Sequence, residues 1–234
     1  MRKLISDFFK DNPKIEVVGT ARNGKDALKK IQQLSPNVVT MDVEMPEMNG
    51  LEALKEIMQN CPVPVIMLSS TTKQGAENTV IAMEYGAVDF VAKPSGTISL
   101  DLHKIKDELI HKVQQAAQVP IAKLKKTIGI KLPRVEERKQ HITTIHKEPT
   151  PIPVAEKPIV TGTKTPKWNN HSKKVVLIGT STGGPRALQE VITKIPKSIA
   201  APILIVQHMP PGFTKSLATR LDQLSEIHVK EAEH

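Results

Sequence analysis

The sequence predicts an α/β protein whose parallel strands are covered by helices. Three observations predict it. Short apolar runs are each followed by a stretch of helical spacing. Polar residues of matching chemistry fall at the ends of three successive runs. A strand, glycine turn, helix, strand order then returns after a long basic interruption. The runs are Val17 and Val18, Val38 and Val39, residues 63–68 and residues 88–91. They alternate with amphipathic stretches at 26–34, 51–58, 77–85 and 102–113. Leu4, Ile5, Phe8 and Phe9 mark one face of an opening helix.

The 234 residues, 39% hydrophobic and 24% charged, have a globular composition and room for two domains. The formal charge of +9 is unevenly placed. Residues 1–119 carry 14 Lys+Arg against 15 Asp+Glu, residues 120–174 carry 13 against 4, and residues 175–234 carry 6 against 5. The middle segment holds seven of the 18 prolines and shows no sustained periodicity, so it reads as a solvated linker. With aromatic residues at 3%, stacking platforms for bases are scarce and no nucleic-acid partner is expected. The longest apolar stretch, residues 199–206, is short for a bilayer and is broken by Pro202. No direct membrane insertion and a cytoplasmic location are therefore expected. The single cysteine, Cys61, reads as a packing residue.

In open parallel sheets, ligands gather at the carboxyl ends of the strands. Asp42, Ser69 and Lys93 stand at three such ends. They offer a carboxylate open to phosphorylation, a hydroxyl able to bond a phosphoryl oxygen, and a fixed positive charge. Singly, each has an ordinary explanation: a cap, a solvated loop serine, a Lys-Pro turn. Their shared placement favours a cluster that responds to an anion.

Three runs carry a resemblance. Val39-Thr40-Met41-Asp42-Val43-Glu44-Met45-Pro46-Glu47-Met48-Asn49-Gly50, Met67-Leu68-Ser69-Ser70 and Phe90-Val91-Ala92-Lys93-Pro94 look like a response-regulator receiver domain, with a flavodoxin-like fold. The resemblance implies that Asp42 accepts phosphate from a histidine kinase, and that Asp42 and the Glu44 carbonyl help to hold Mg²⁺. It further implies that Ser69 and Phe90 rearrange as a switch pair, with Lys93 beside the phosphate. The family's acidic pair on a first strand has no counterpart, because Met1-Arg2-Lys3-Leu4-Ile5-Ser6 already reads as helix. The expectation is a receiver lacking its central first strand, less stable and weak in Mg²⁺ binding.

Beyond the linker, Lys174-Val175-Val176-Leu177-Ile178-Gly179-Thr180-Ser181-Thr182-Gly183-Gly184-Pro185 reads as strand and tight turn, followed by a helix to Ile195 and a strand from Pro202 to His208. Gly179 to Gly183 fits the G-x-S-x-G pattern, whose glycines allow a turn that lifts a serine hydroxyl clear of the strand. Pro185 suits a first helical turn whose free amides favour an oxyanion. His208 follows the second strand as Ser181 follows the first, and strands joined by one helix usually lie side by side. An imidazole there can take the serine proton and later activate water. A nucleotide-phosphate turn is the competing reading, although the P-loop lysine is missing.

Ile178-Gly179-Thr180-Ser181-Thr182-Gly183-Gly184 and Val206-Gln207-His208-Met209-Pro210-Pro211-Gly212-Phe213 resemble the catalytic domain of chemotaxis protein-glutamate methylesterases. The resemblance implies Ser181 as nucleophile, His208 as general base and an amide near Thr182 in the oxyanion site, with no cofactor for the hydrolysis. It implies glutamyl methyl esters on methylated chemoreceptors as substrate, receptor glutamine as a second one, and a receiver that covers the cleft until phosphorylated. Expected domains are a receiver at 1–117, a linker at 118–173 and a catalytic segment at 174–234, an incomplete copy at both ends. The family's downstream aspartate that orients the histidine has no counterpart, and Asp222 reads as a solvated helix residue. Impaired hydrolysis is expected of such a fragment. The alternative is a non-catalytic response-regulator fragment that accepts phosphate or binds a partner.

Overall fold

A computed structural model of the chain describes residues 2–93, 99–121, 124 and 174–233. The helical periods become helices where side chains satisfy the free amides of the first turn. After α1 (Arg2–Phe9), α2 (Gly24–Leu34) starts at Asn23, whose side chain accepts the Asp26 amide. Helix α3 (Gly50–Asn60) starts with a capping box in which Asn49 and Glu52 each accept the other's amide. Thr72 caps α4 (Lys73–Glu84) by accepting the Gly75 amide, and α5 is Ser99–Ala116.

Strands β1 (Val39–Asp42), β2 (Val65–Ser69) and β3 (Asp89–Ala92) form a parallel sheet in the order β1-β2-β3. Every residue of β2 is buried, as its unbroken apolar run requires of a strand covered on both faces. The core gathers Ile5, Phe8 and Phe9 of α1, Leu54 and Ile57 of α3, and Leu109 and Val113 of α5 around it. The expected strand at Val17 and Val18 does not form. These residues are 42% and 49% exposed, and residues 15–20 have neither strand nor helix assignment. An extended segment needs a neighbouring ladder to satisfy its backbone, and β1 pairs with β2 alone.

Lys112 of α5 is buried beneath β3. Its ammonium lies 3.4 Å from Asp89, 2.9 Å from Glu108 and 2.6 Å from the Phe90 carbonyl, and 5.1 Å from the Phe90 ring centre. Lys112→Met would strand the buried Asp89 carboxylate without its partner. A loss of about 3–5 kcal/mol in urea unfolding is expected, and an unchanged midpoint would refute this role.

The second unit contains β4 (Val176–Thr180), α6 (Gly184–Ile192), β5 (Ile203–Gln207) and α7 (Phe213–Leu224). Strands β4 and β5 pair in parallel, Val176 opposite Ile203 through Thr180 opposite Gln207. Ile178, Ile203 and Ile205 pack against Leu188, Ile192, Leu217 and Leu221 of the two helices. The other face is bare, with Leu177 71% and Val206 74% exposed. Two strands with helices on one side cover one apolar face of the sheet.

The two units touch. Val80 of α4 joins the core of the second unit, and Phe213 joins that of the first. Phe213 stacks on Phe90 with ring centres 4.8 Å apart and planes at 25°. Arg220 grips the buried Glu84 with two hydrogen bonds, one of 2.9 Å from Nη2 to Oε2. No helix among the described residues is long and apolar enough to cross a membrane. The basic linker, apart from its edges, and Pro94 lie outside the described residues.

Candidate functional site

The parallel register of β4 and β5 brings the second unit's polar residues together. With Thr180 opposite Gln207, the next residues on each strand, Ser181 and His208, leave the sheet side by side. The His208 amide donates to the Thr180 carbonyl at 2.9 Å, which extends the ladder by one step. Ser181 Oγ then lies 3.2 Å from His208 Nδ1, within reach for proton transfer. Both residues are exposed, so a substrate carbonyl has access to them.

The two glycines of the G-x-S-x-G pattern contribute unequally to the turn. Gly179 lies within β4, and a Cβ there would meet nothing within 4 Å. Ser181 has no positive φ, and the left-handed residue is Gly183, with φ 74°. A single glycine at the helix entrance therefore makes the bend. Thr182, just before it, opens onto α6, with Pro185 in the first turn. The amino end of this helix places the positive end of its dipole beside Ser181.

At the first unit's sheet edge, Lys93 Nζ lies 2.7 Å from Asp42 Oδ1 and 3.3 Å from Glu44 Oε2. Asp42 Oδ1 also accepts the Glu44 amide at 2.9 Å. Burial alone would lower the Lys93 pKa. Hydrogen bonds and charge from Asp42, then Glu44, outweigh it and raise the value, which holds Lys93 charged. Ser69 does not join this group. It is fully buried, and its hydroxyl donates to the Gly75 carbonyl at 2.9 Å. Phe90 is buried against Phe213, pointing to the other unit.

Comparison with known proteins assigns both units. Residues 1–103 match the response regulator receiver domain and residues 176–234 the CheB methylesterase domain. The chain carries a response regulator receiver domain followed by a match to the CheB methylesterase domain. The protein-glutamate methylesterase/protein-glutamine glutaminase of Geobacillus kaustophilus is 54% identical over 240 residues, covering 100% of this chain and 59% of that protein. The protein of the same name from Bacillus subtilis is 48% identical over 236 residues, covering 99% and 59%. The chain thus spans about three fifths of the length of the curated relatives it matches. The response regulator domain of Thermotoga maritima CheB is 47% identical, covering 51% of this chain and 90% of that one, with a TM-score of 0.47.

A receiver domain implies Mg²⁺ in general. Asp42 and Glu44 alone do not make such a site. Mg²⁺ asks for about six oxygens in near-octahedral array, and here the Lys93 ammonium already engages the Asp42 carboxylate. No group of three or more acidic, His or Cys residues that could hold a metal occurs among the described residues. Weak Mg²⁺ binding is expected in calorimetric titration, and ordinary receiver-like affinity would contradict it.

Asp222 does not orient the histidine of the pair. It accepts the Val229 amide at 2.7 Å and His228 Nδ1 at 2.8 Å, and the amide bond is the main cause of its lowered pKa. His208 bonds no carboxylate among the described residues. Sequence reasoning missed Gln207, whose amide bonds Thr180, Ser181 and His208. The only signal for it was its place beside His208 at the strand end. It also missed the buried Lys112–Asp89 and Arg220–Glu84 pairs, whose partners are 23 and 136 residues apart.

Proposed function

We propose that this chain carries the regulatory domain and the nucleophile-base half of a protein-glutamate methylesterase that serves chemotaxis adaptation. The observation that supports it best is the 3.2 Å approach of Ser181 Oγ to His208 Nδ1. Ser181 attacks the carbonyl carbon of a glutamyl methyl ester while His208 takes the hydroxyl proton. The proton then passes to the leaving methoxide and methanol departs. Water, deprotonated by His208, attacks the acyl-enzyme and releases glutamate and free Ser181. The amide near Thr182 faces the oxyanion formed in both steps. Receptor glutamine would follow the same route with ammonia as leaving group.

The receiver, residues 1–117, accepts phosphate at Asp42 from a histidine kinase. Mg²⁺ assists in receivers generally, and Lys93 neutralises charge at the site. Ser69 and Phe90 form the switch pair, for which Ser69 must first release the Gly75 carbonyl. Residues 118–173 link it to the catalytic segment, 174–234. The substrates are methylated chemoreceptors at the cytoplasmic side of a membrane that the protein itself does not enter.

Methylated receptor membranes incubated with the chain, its Ser181→Ala form and a version extended at both ends test this reading. Methanol released in a Ser181-dependent manner by the chain or by the extended protein is expected. No release from the extended protein would overturn the reading in favour of a non-catalytic signalling module.

A further inference from the structure

We infer that Gln207 is a positioning residue that clamps the two strand ends so that Ser181 and His208 stay within bonding reach; this rests on the reading of those two residues as nucleophile and base. Its side chain crosses from β5 to β4. Oε1 accepts the Thr180 hydroxyl at 2.7 Å, and Nε2 donates to the Ser181 carbonyl at 3.1 Å and the His208 carbonyl at 2.9 Å. The amide orientation is fixed by chemistry. Turned over, it would aim Oε1 at two carbonyl oxygens, neither able to donate.

Three independent bonds from one planar group fix the backbone on both sides of the pair. The Ser181 carbonyl also accepts the Gly184 amide at 2.7 Å, so both its lone pairs are engaged and the peptide after Ser181 cannot rotate. The Ser181 hydroxyl is left to turn about its own bond toward His208. Gly184 makes room for the clamp. A Cβ there would stand 2.0 Å from Gln207 Oε1 and 2.8 Å from the Thr180 Cβ. With no carboxylate bonded to His208 among the described residues, this amide adds a side-chain tie between the histidine's backbone and the serine's to the ladder bond from the His208 amide to the Thr180 carbonyl.

A glutamate is nearly the same shape but would bring a negative charge and no donors to two carbonyl oxygens. Gln207→Glu should therefore break the clamp without opening a cavity. Gln207→Leu removes all three bonds, and Thr180→Val removes one from the opposite strand. Thr180→Ser, which keeps the hydroxyl, should preserve the clamp.

The test uses the full chain labelled with ¹⁵N-histidine, and reads the His208 ring resonance with and without Ser181→Ala. In the parent protein, loss of the serine hydroxyl should move that resonance, since the two groups are bonded. In Gln207→Glu and Gln207→Leu the same change should produce no shift, while Thr180→Ser should retain it. The dispersed amide resonances of α6, read in a uniformly ¹⁵N-labelled sample of each variant, report that it is folded. Should Gln207→Leu fail to fold, Gln207→Glu carries the test. A Ser181-dependent shift that survives intact in the folded Gln207 variant would overturn the clamp and leave the Ser–His reading standing. No shift even in the parent would overturn the Ser–His contact, and the clamp with it.

Discussion

Ser181→Ala and His208→Ala are each expected to lower ester hydrolysis by about 10⁴- to 10⁶-fold in the form of the protein that releases methanol, and the double variant no further. The expectation follows from how the pair works. A serine hydroxyl attacks slowly unless its proton is taken as the bond forms, and an imidazole without a nucleophile beside it can only activate water. Because Ser181 Oγ and His208 Nδ1 are bonded to each other, removal of either disables one shared step. Losses that multiplied in the double variant would mean the two act separately. Single-turnover methanol release distinguishes these outcomes, since it reads acylation free of product departure.

Phe213→Ala is expected to cost about 3–5 kcal/mol in equilibrium unfolding, of which about 0.5–1.5 kcal/mol is the loss of its stack on Phe90. Phe213 is 1% exposed and belongs to the core of the first unit although it begins α7 of the second. Truncation therefore leaves a cavity where the units meet. Phe213 also ends the loop that starts at His208, so the cavity should loosen that loop. Amide exchange in α4 and at Met209, Gly212 and residue 213 should quicken together in Phe213→Ala, whereas Phe213→Leu should retain most of the protection. An unfolding midpoint unchanged by Phe213→Ala would show that the units do not meet through this ring.

The fold was legible where local chemistry and tertiary packing agree. The unbroken apolar run of β2 and the Ser181 and His208 placement at two strand ends carry their meaning within a few residues of each strand. Val17 and Val18 misled because apolar spacing suggests a strand, while only a hydrogen-bonded neighbour makes one. The G-x-S-x-G spacing does not say which of its two glycines bends, and here it is Gly183. Ser69 was placed correctly at its strand end, but the direction of a hydroxyl is set by what lies nearest, in this case the Gly75 carbonyl of the next helix. The pairs Lys112–Asp89 and Arg220–Glu84 were invisible because charged residues normally read as solvated faces, and only the folded chain shows their burial.

Reaction with a serine-directed fluorophosphonate, followed by peptide mass mapping, tests most directly whether Ser181 is activated by the imidazole beside it. A single adduct on Ser181, formed rapidly in the folded chain and lost in both His208→Ala and heat-unfolded protein, is the result expected. An adduct rate at Ser181 that is indifferent to His208, or labelling spread over other serines, would contradict it.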